Sequence, residues 1–507
     1  MDEKKIEKNF YIQKVSEESG RSYEDVEKEM LETRKVLGVK FQEFYNYHLW
    51  EKSITQKQIF ARKIIRVRNK RNESLDIIST ALDIPRKEVR NVMKAVNAKG
   101  IFTMHVNTYA NFELFRYTDE ELESVLHKFA RRRDLKKSLR EKIKAIDAGT
   151  CTYEEVEAEL QELYDFYREM MSERMYRKIW DKLSISRPDL IEDKAYLKEV
   201  LIDIEVTKFL LEFSVAEYVS FHFVGTTFQQ KREFLCDMER MKVILSMNDS
   251  ACFDYLDDKY QTYSLLKKYY RRKMLLVTSK EDYNKFKWFC FGKKAIVIKP
   301  YSESMGRGIR PVYLNGRKGL KKKFNALCKE LDSFIVEDLI RPHETIRALN
   351  PDSVNTVRVI TYFDGEKTII HDTFMKVGKK GSFVDNGGAG GIFVSVNPET
   401  GMFKSDGCDE DGVVYPTHPD TGVRFQGYQL PDWQQARKLA MKLSTKVPGI
   451  NYIGWDFTYT QKGKWVIVEG NAKTQFFGQQ CTTGVGLRKS VMETVGYDPV
   501  TETRKTK

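Results

Sequence analysis

Several chemistries are ruled out by what this 507-residue chain lacks. Its seven cysteines (Cys151, Cys236, Cys252, Cys290, Cys328, Cys408 and Cys481) include no CxxC pair, so no metal clip is expected and reduced, mostly buried thiols are. No apolar run is long enough to span a bilayer, and the opening "MDEKKIEKNF" has no apolar core of a signal peptide, so a cytoplasmic protein is expected. No Ser, His, Asp pattern is present, which argues against nucleophilic hydrolysis. Glycine is scarce early on: five of the thirty precede residue 280, and that stretch reads as helical.

What is present is a globular composition, 41% apolar and 12% aromatic, long enough for two to four domains. The net charge of +13 favours an acidic partner, whether nucleic acid, an anionic polymer, a phosphorylated substrate or a membrane surface; charge alone does not choose. Apolar residues at three and four spacing in "YEDVEKEMLETRKVLG" and "YEEVEAELQELYDFYREMM" predict helices. From Lys294 onward the texture changes to β-branched runs, "AIVIKP", "SFIVEDLI", "TVRVITYF", "GIFVSV" and "WVIVEG", with one helical stretch, "DWQQARKLAMKLS". An α+β region following a helical one is the expected fold class.

Two features of the helical half are ambiguous. Residues 41–60 align without gaps on 215–234, matching His48 with His222, either as an internal repeat or as two amphipathic pairs of similar packing. Residues 77–100 have the pattern of a helix-turn-helix after the basic "ARKIIRVRNKR", although Pro85 equally starts an ordinary helix and "RRRDLKKSLREKIK" suits a solvated face. A nucleic-acid role is not the expectation.

The strongest signal is "YIGWDFTYTQKGKWVIVEGN", two strand-like runs joined by a polar turn. With Lys462 and Gly463 as the turn, Asp456 falls opposite Glu469, Phe457 meets Val468 and Tyr459 meets Val466. Asp456, Glu469 and Asn471 then share one face. Carboxylates directly across a strand pair repel unless a positive charge lies between them, and the oxygen donors suit magnesium; the alternative is a solvent-facing hairpin with incidental acids. Upstream, "AIVIKPYSESMGRGI" brings Lys299 on a strand into a flexible loop with Ser302, Ser304, Gly306, Arg307 and Gly308, suited to closing over an anion but lacking the Gly-Lys-Ser/Thr ending of a P-loop.

Taken in order, Lys259 in "DDKY", Lys299 in "IKP", "FIVEDLI", "NTVRVITY", "DNGGAGG" and "GWDF…VEGN" resemble the ATP-grasp superfamily and, within it, the sugar-transfer-associated group. The chain is also similar to bacterial α-glutamate ligases, which share the Arg-bearing strand, the Asn before a Gly pair and the closing Asp, Glu, Asn set. The resemblance covers 257–486. It implies an ATP-grasp domain of two α+β subdomains gripping ATP, and the expected division is a helical region over 1–250, that domain over 251–495 and a basic tail over 496–507.

The same resemblance implies that Lys259 and Lys299 contact ATP phosphates with the Ser302 to Gly308 loop as their lid, Ser304, Gly306 and Gly308 contributing to the ATP site. Glu337 and the backbone through Leu339 would hold adenine and Glu344 the ribose. Asp456, Glu469 and Asn471 would bind Mg2+. Arg358 and Lys376 would neutralise the transferred phosphoryl group, although relatives carry Arg where Lys376 stands, and Asn386 with the 387–391 run would line the acceptor side. A carboxylate-amine ligase is implied, acting through an acyl phosphate on an acidic small-molecule, glycan or peptide acceptor with an amine donor. A phosphotransferase or a non-catalytic ATP-binding regulator are the alternatives, and homo-oligomerisation is left open. Trp433, Trp455 and Cys481 are expected to be packing residues.

Overall fold

The computed structural model describes residues 3–51, 54–301, 308–316, 318–499, 501 and 503–504. The chain divides into two compact units, Met1–Asp134 with Met170–Arg177, and Leu135–Glu169 with Lys178–Lys507. The described part of the first unit is helical, with a small core that includes Ile12, Val15, Val26, Met30 and Phe44. The helix expected in "YEDVEKEMLETRKVLG" runs Tyr23–Leu37, started by Ser22, whose side chain accepts from the Asp25 N–H, and stopped by Gly38 at φ 67°. The other expected helix runs Glu154–Met170. The helix-turn-helix pattern becomes two helices, Ile54–Leu82 and Val89–Ala98.

The two matched segments share a local backbone. A six-residue helix, Phe41–Asn46 in one and Val215–Ser220 in the other, is followed by a left-handed histidine, His48 at φ 47° or His222 at φ 57°. The same turn recurs after Val106–Asn111 at Glu113 (φ 50°), where no sequence match pointed to it. No helix among the described residues is long and apolar enough to cross a membrane.

Among its described residues the second unit carries two main antiparallel sheets and one two-stranded pairing. In the smaller main sheet, β1 (Met274–Val277), β2 (Ala295–Pro300), β3 (Arg310–Tyr313) and β4 (Phe334–Asp338) lie in the order β1-β4-β2-β3. Ile296, Ile298 and Val336 point to one face, where they pack with Phe286, Phe324 and Leu327 of the helices Tyr283–Cys290 and Leu320–Glu330. Val297, Lys299 and Glu337 alternate to the other face, which lines a cleft.

The larger sheet is built from β5 (Thr356–Phe363), β6 (Thr368–Val377), β7 (Ile392–Val396), β8 (Phe403–Cys408), β9 (Val414–Tyr415), β10 (Tyr452–Thr460) and β11 (Lys464–Asn471), ordered β11-β10-β5-β6-β7-β8-β9. The five β-branched runs are thus all strands, and "DWQQARKLAMKLS" supplies the helix Trp433–Ser444. Trp433 and Trp455 are buried as expected. In the segment 496–507, Tyr497–Asp498 pairs with Thr503–Arg504, and Asp498 is ion-paired to Arg488.

The β10–β11 hairpin departs from the expected register twice, and the departures cancel. Its loop has three residues, ending in Gly463 at φ 65°, so Tyr459 pairs with Trp465 and Phe457 with Ile467 rather than with Val466 and Val468. A β-bulge then leaves Val468 as the extra residue and restores Asp456 opposite Glu469.

A bulge leaves carbonyls outside the ladder, and Arg272 takes them. Its guanidinium donates to the Ile467 carbonyl, to the Val468 carbonyl at 3.2 Å and to Glu337 Oε2 at 3.2 Å, while lying 4.7 Å from the Tyr270 ring centroid. One buried side chain therefore ties the small sheet to the irregular turn of the large one. Arg272→Met should cost roughly 2–4 kcal/mol in urea unfolding, because it leaves buried acceptors without their donor, and Arg272→Lys should cost less; an unchanged midpoint in the Met variant would contradict this role.

Within β6, burial pushes His371 down to about 4 and Asp372 up to about 7. The effects oppose each other. His371, neutral in the fold, adds stability as pH rises from about 4 to about 6.5, whereas Asp372, protonated in the fold and ionised in the unfolded chain, removes it from about 4 to about 7. Asp372→Asn keeps only the rising contribution, so its melting temperature relative to the native chain should climb across that window; a difference independent of pH would count against the assignment.

Candidate active site

The cleft between the two sheets gathers several of the residues expected to form one site. Lys299, Glu337 and Leu339 come from the small sheet and its exit, Lys376, Asp456 and Glu469 from the large sheet, and Asn386 from the glycine-rich loop that leads into β7. Strand alternation explains this for Lys299, Lys376 and Asp456, whose neighbours along the strand are buried, whereas beside Glu337 and Glu469 the adjacent Asp338 and Val468 also line the cleft.

Across the large sheet Glu469, Asp456 and Arg358 form a row on β11, β10 and β5. Arg358 holds Asp456 with two hydrogen bonds, Nε to Oδ1 at 2.6 Å and Nη2 to Oδ2 at 2.7 Å, and Lys376 Nζ reaches Oδ2 at 2.8 Å. Asp456 is 1% exposed. Burial alone would raise its pKa, but the two cations hold the carboxyl well below the usual range, so it stays ionised. The positive charge that the facing carboxylates require is thus supplied by Arg358 and Lys376.

The small sheet repeats this arrangement. Glu337 lies between Lys299 (2.8 Å) and Arg272 (3.2 Å), which hold its carboxyl below the ordinary value against the opposing effect of burial. Lys259 begins the helix Lys259–Tyr270 after the capping Asp258; burial lowers its pKa while Glu469 acts in the opposite sense. Asn471 stands opposite Gly454 and donates Nδ2 to the Gly454 carbonyl at 3.3 Å, leaving its side-chain oxygen available as a donor to a cation. A side chain at Gly454 would collide with Thr474 and Arg358, so the approach of these residues needs glycine there.

Other expected residues are placed differently. Gly308 (φ 69°) lies against Pro300, and Ser304 and Gly306 fall outside the described residues. Glu344 starts the helix Glu344–Leu349, exposed and outside the cleft lining. Among the described residues no group of three or more His, Cys, Asp or Glu side chains is arranged to hold a metal ion.

Sequence reasoning missed Arg272, Asp385 and a pair of cysteines. Asp385 is buried beside Asn386, where it accepts from both the Thr356 N–H and hydroxyl at 2.6 Å and so fixes the start of β5 next to Arg358. Cys408 and Cys481, distant in sequence, interact; the influence of Cys481 and of His222, 3.8 Å from Cys408 Sγ, brings the Cys408 thiol down to about 6 despite its burial. Burial raises Cys481, as suits a packed thiol rather than a nucleophile. Sequence spacing carries no signal for this contact.

A model of the sugar-transfer associated ATP-grasp family matches residues 239–496, just over half of the chain. No curated protein matches. Among solved structures, the chain is similar to D-alanyl-alanine synthetase A from Vibrio cholerae O1 biovar eltor, with 13% identity over 47% of this chain and 60% of that one and a TM-score of 0.30. It is similar to the VanG D-Ala:D-Ser ligase of Enterococcus faecalis, with 14% identity, 50% and 62% coverage and a TM-score of 0.32. For an L-amino acid ligase from Bacillus licheniformis the figures are 13%, 49%, 46% and 0.29. The chain therefore spans under two thirds of the length of these proteins, and similarity at this level carries no activity across. The family match stands apart from them: the chain belongs to the sugar-transfer associated ATP-grasp family.

Proposed function

We propose that the chain is an ATP- and magnesium-dependent ligase that joins a carboxylate to an amine. The observation that supports this best is the convergence of Lys299, Lys376, Glu337, Asp456 and Glu469 from two sheets on one cleft, with Arg358 buried behind it. Glu337 and the backbone to Leu339 would hold adenine, Glu344 the ribose, and Lys259 and Lys299 the phosphates beneath the loop containing Ser304, Gly306 and Gly308. The donor set fits a hard cation, since Glu469 and the Asn471 side-chain oxygen share a face with Asp456. Bound there, magnesium would supply charge neutralisation for phosphate oxygens.

In this reading the acceptor carboxylate attacks the terminal phosphoryl group as its bond to ADP breaks, giving an acyl phosphate. The amine then displaces inorganic phosphate and an amide forms. Lys299, Lys376 and Arg358 stabilise the charge on the moving phosphoryl group, and Asp456 keeps Arg358 and Lys376 oriented. Asn386 and the 387–391 loop would face the acceptor, which we take to be acidic: a small molecule, a glycan precursor or a peptide. Positioning and electrostatics suffice for such a transfer, so no protein nucleophile is needed.

The test is product analysis by mass spectrometry and phosphorus NMR with ATP, magnesium and pools of carboxylates, amines and phosphorylated sugars. ADP, phosphate and an amide should appear together, and Glu469→Ala should lower their formation by about 100-fold or more, the scale of losing one charge-stabilising group. A phosphorylated acceptor that accumulates, or ATP that binds without turnover, would overturn the ligase reading.

A further inference from the structure

The small sheet has an outer side as well as a cleft side. There the helices Tyr283–Cys290 and Leu320–Glu330 bury Phe286, Cys290, Phe324 and Leu327 against the sheet and turn their remaining faces to solvent. Residues 283–294 and 318–329 hold nine lysines between them, and the acids that border them, Asp282 and Glu330, are ion-paired to Lys285 and Arg310. In their midst Trp288 is 72% and Phe291 61% exposed, with ring centroids 6.2 Å apart. Lys285, Lys287, Lys294, Lys322 and Lys329 are exposed around them. A folded protein has no internal reason to present a tryptophan to water inside a field of like charge, since the ring loses its burial and the lysines repel one another.

We propose that this face docks on an anionic lipid bilayer. The lysines meet lipid phosphates, and Trp288 and Phe291 enter the headgroup layer, where an amphipathic ring is favourably placed. A soluble polyanion fits less well. The two rings are inclined at 59° rather than stacked as parallel platforms for successive bases, and they sit at the exposed end of one helix, Trp288 in its last turn and Phe291 just past it. Because Lys299 and Glu337 lie on the opposite face of the same sheet, a protein docked in this way keeps the cleft side of that sheet away from the membrane. The proposal does not depend on the ligase reading.

The experiment is co-sedimentation of the full chain with vesicles of phosphatidylcholine alone or mixed roughly two to one with phosphatidylglycerol, at low and high salt. The native chain should bind the mixed vesicles only, and less at high salt. Each lysine near an anionic surface is worth about fivefold in partitioning. Lys287→Glu with Lys322→Glu should therefore weaken binding by more than about tenfold, and Trp288→Ser with Phe291→Ser by about tenfold. Lys194→Glu with Lys198→Glu, the same charge change on exposed lysines of the helix Lys194–Leu211, should change it by about twofold or less. All these positions are exposed, so folding is expected to survive and is checked by the melting temperature. No binding to the mixed vesicles, equal binding to phosphatidylcholine alone, or an equal loss in the Lys194 and Lys198 variant would overturn the proposal. So would binding that the aromatic variant leaves intact, which would instead indicate a lysine surface for a soluble polyanion.

Discussion

The buried contact of Asp456 with Arg358 and Lys376 is the interaction on which the site depends. Three adjacent strands, β10, β5 and β6, each contribute one member, so the row fixes their register as well as their charge. Removing one partner from such a network leaves an uncompensated buried charge and costs about 3–5 kcal/mol. That penalty is a reason for the three residues to keep one arrangement. The consequence for chemistry is that Arg358 and Lys376 are held in place before any substrate arrives, and preorganised charge needs no rearrangement during a reaction.

A second network works across the sheets rather than along one. Glu337 on β4 holds Lys299 of β2 and Arg272, and Arg272 in turn takes the carbonyls freed by the β11 bulge. The bulge is what returns Glu469 to a position opposite Asp456 after the three-residue loop has shifted the register. The geometry of the carboxylate pair therefore rests on an arginine outside the hairpin. Asp385 does similar work at the start of β5, where its two bonds to Thr356 connect the glycine-rich loop to the strand that carries Arg358.

Much of this was legible in the sequence, for identifiable reasons. Buried strands such as "TVRVITYF" and "WVIVEG" are β-branched runs too short for helices, and all five runs read in that way are strands. Asp456 and Glu469 were placed opposite one another because two local errors, one in the loop and one at the bulge, have opposite sign. The strand β1 is hidden at the end of a helical stretch by its four-residue length, and the ionisable residues His371 and Asp372 interrupt the apolar pattern of β6. Arg272 stands in "YYRRKM", where nothing local separates a buried arginine from a solvated one. Contacts such as Cys408 with Cys481, or Arg272 with the β11 carbonyls, arise from tertiary folding and have no periodic signature.

The central claim is that this cleft binds a nucleotide through its cationic wall. Calorimetric titration of the full chain with a non-hydrolysable ATP analogue, with and without magnesium, and of Lys299→Met, tests it most directly. The account predicts magnesium-dependent binding by the native chain, weakened about tenfold or more by the substitution, the scale of one charged hydrogen bond. No binding by the native chain, or equal binding by Lys299→Met, would contradict it.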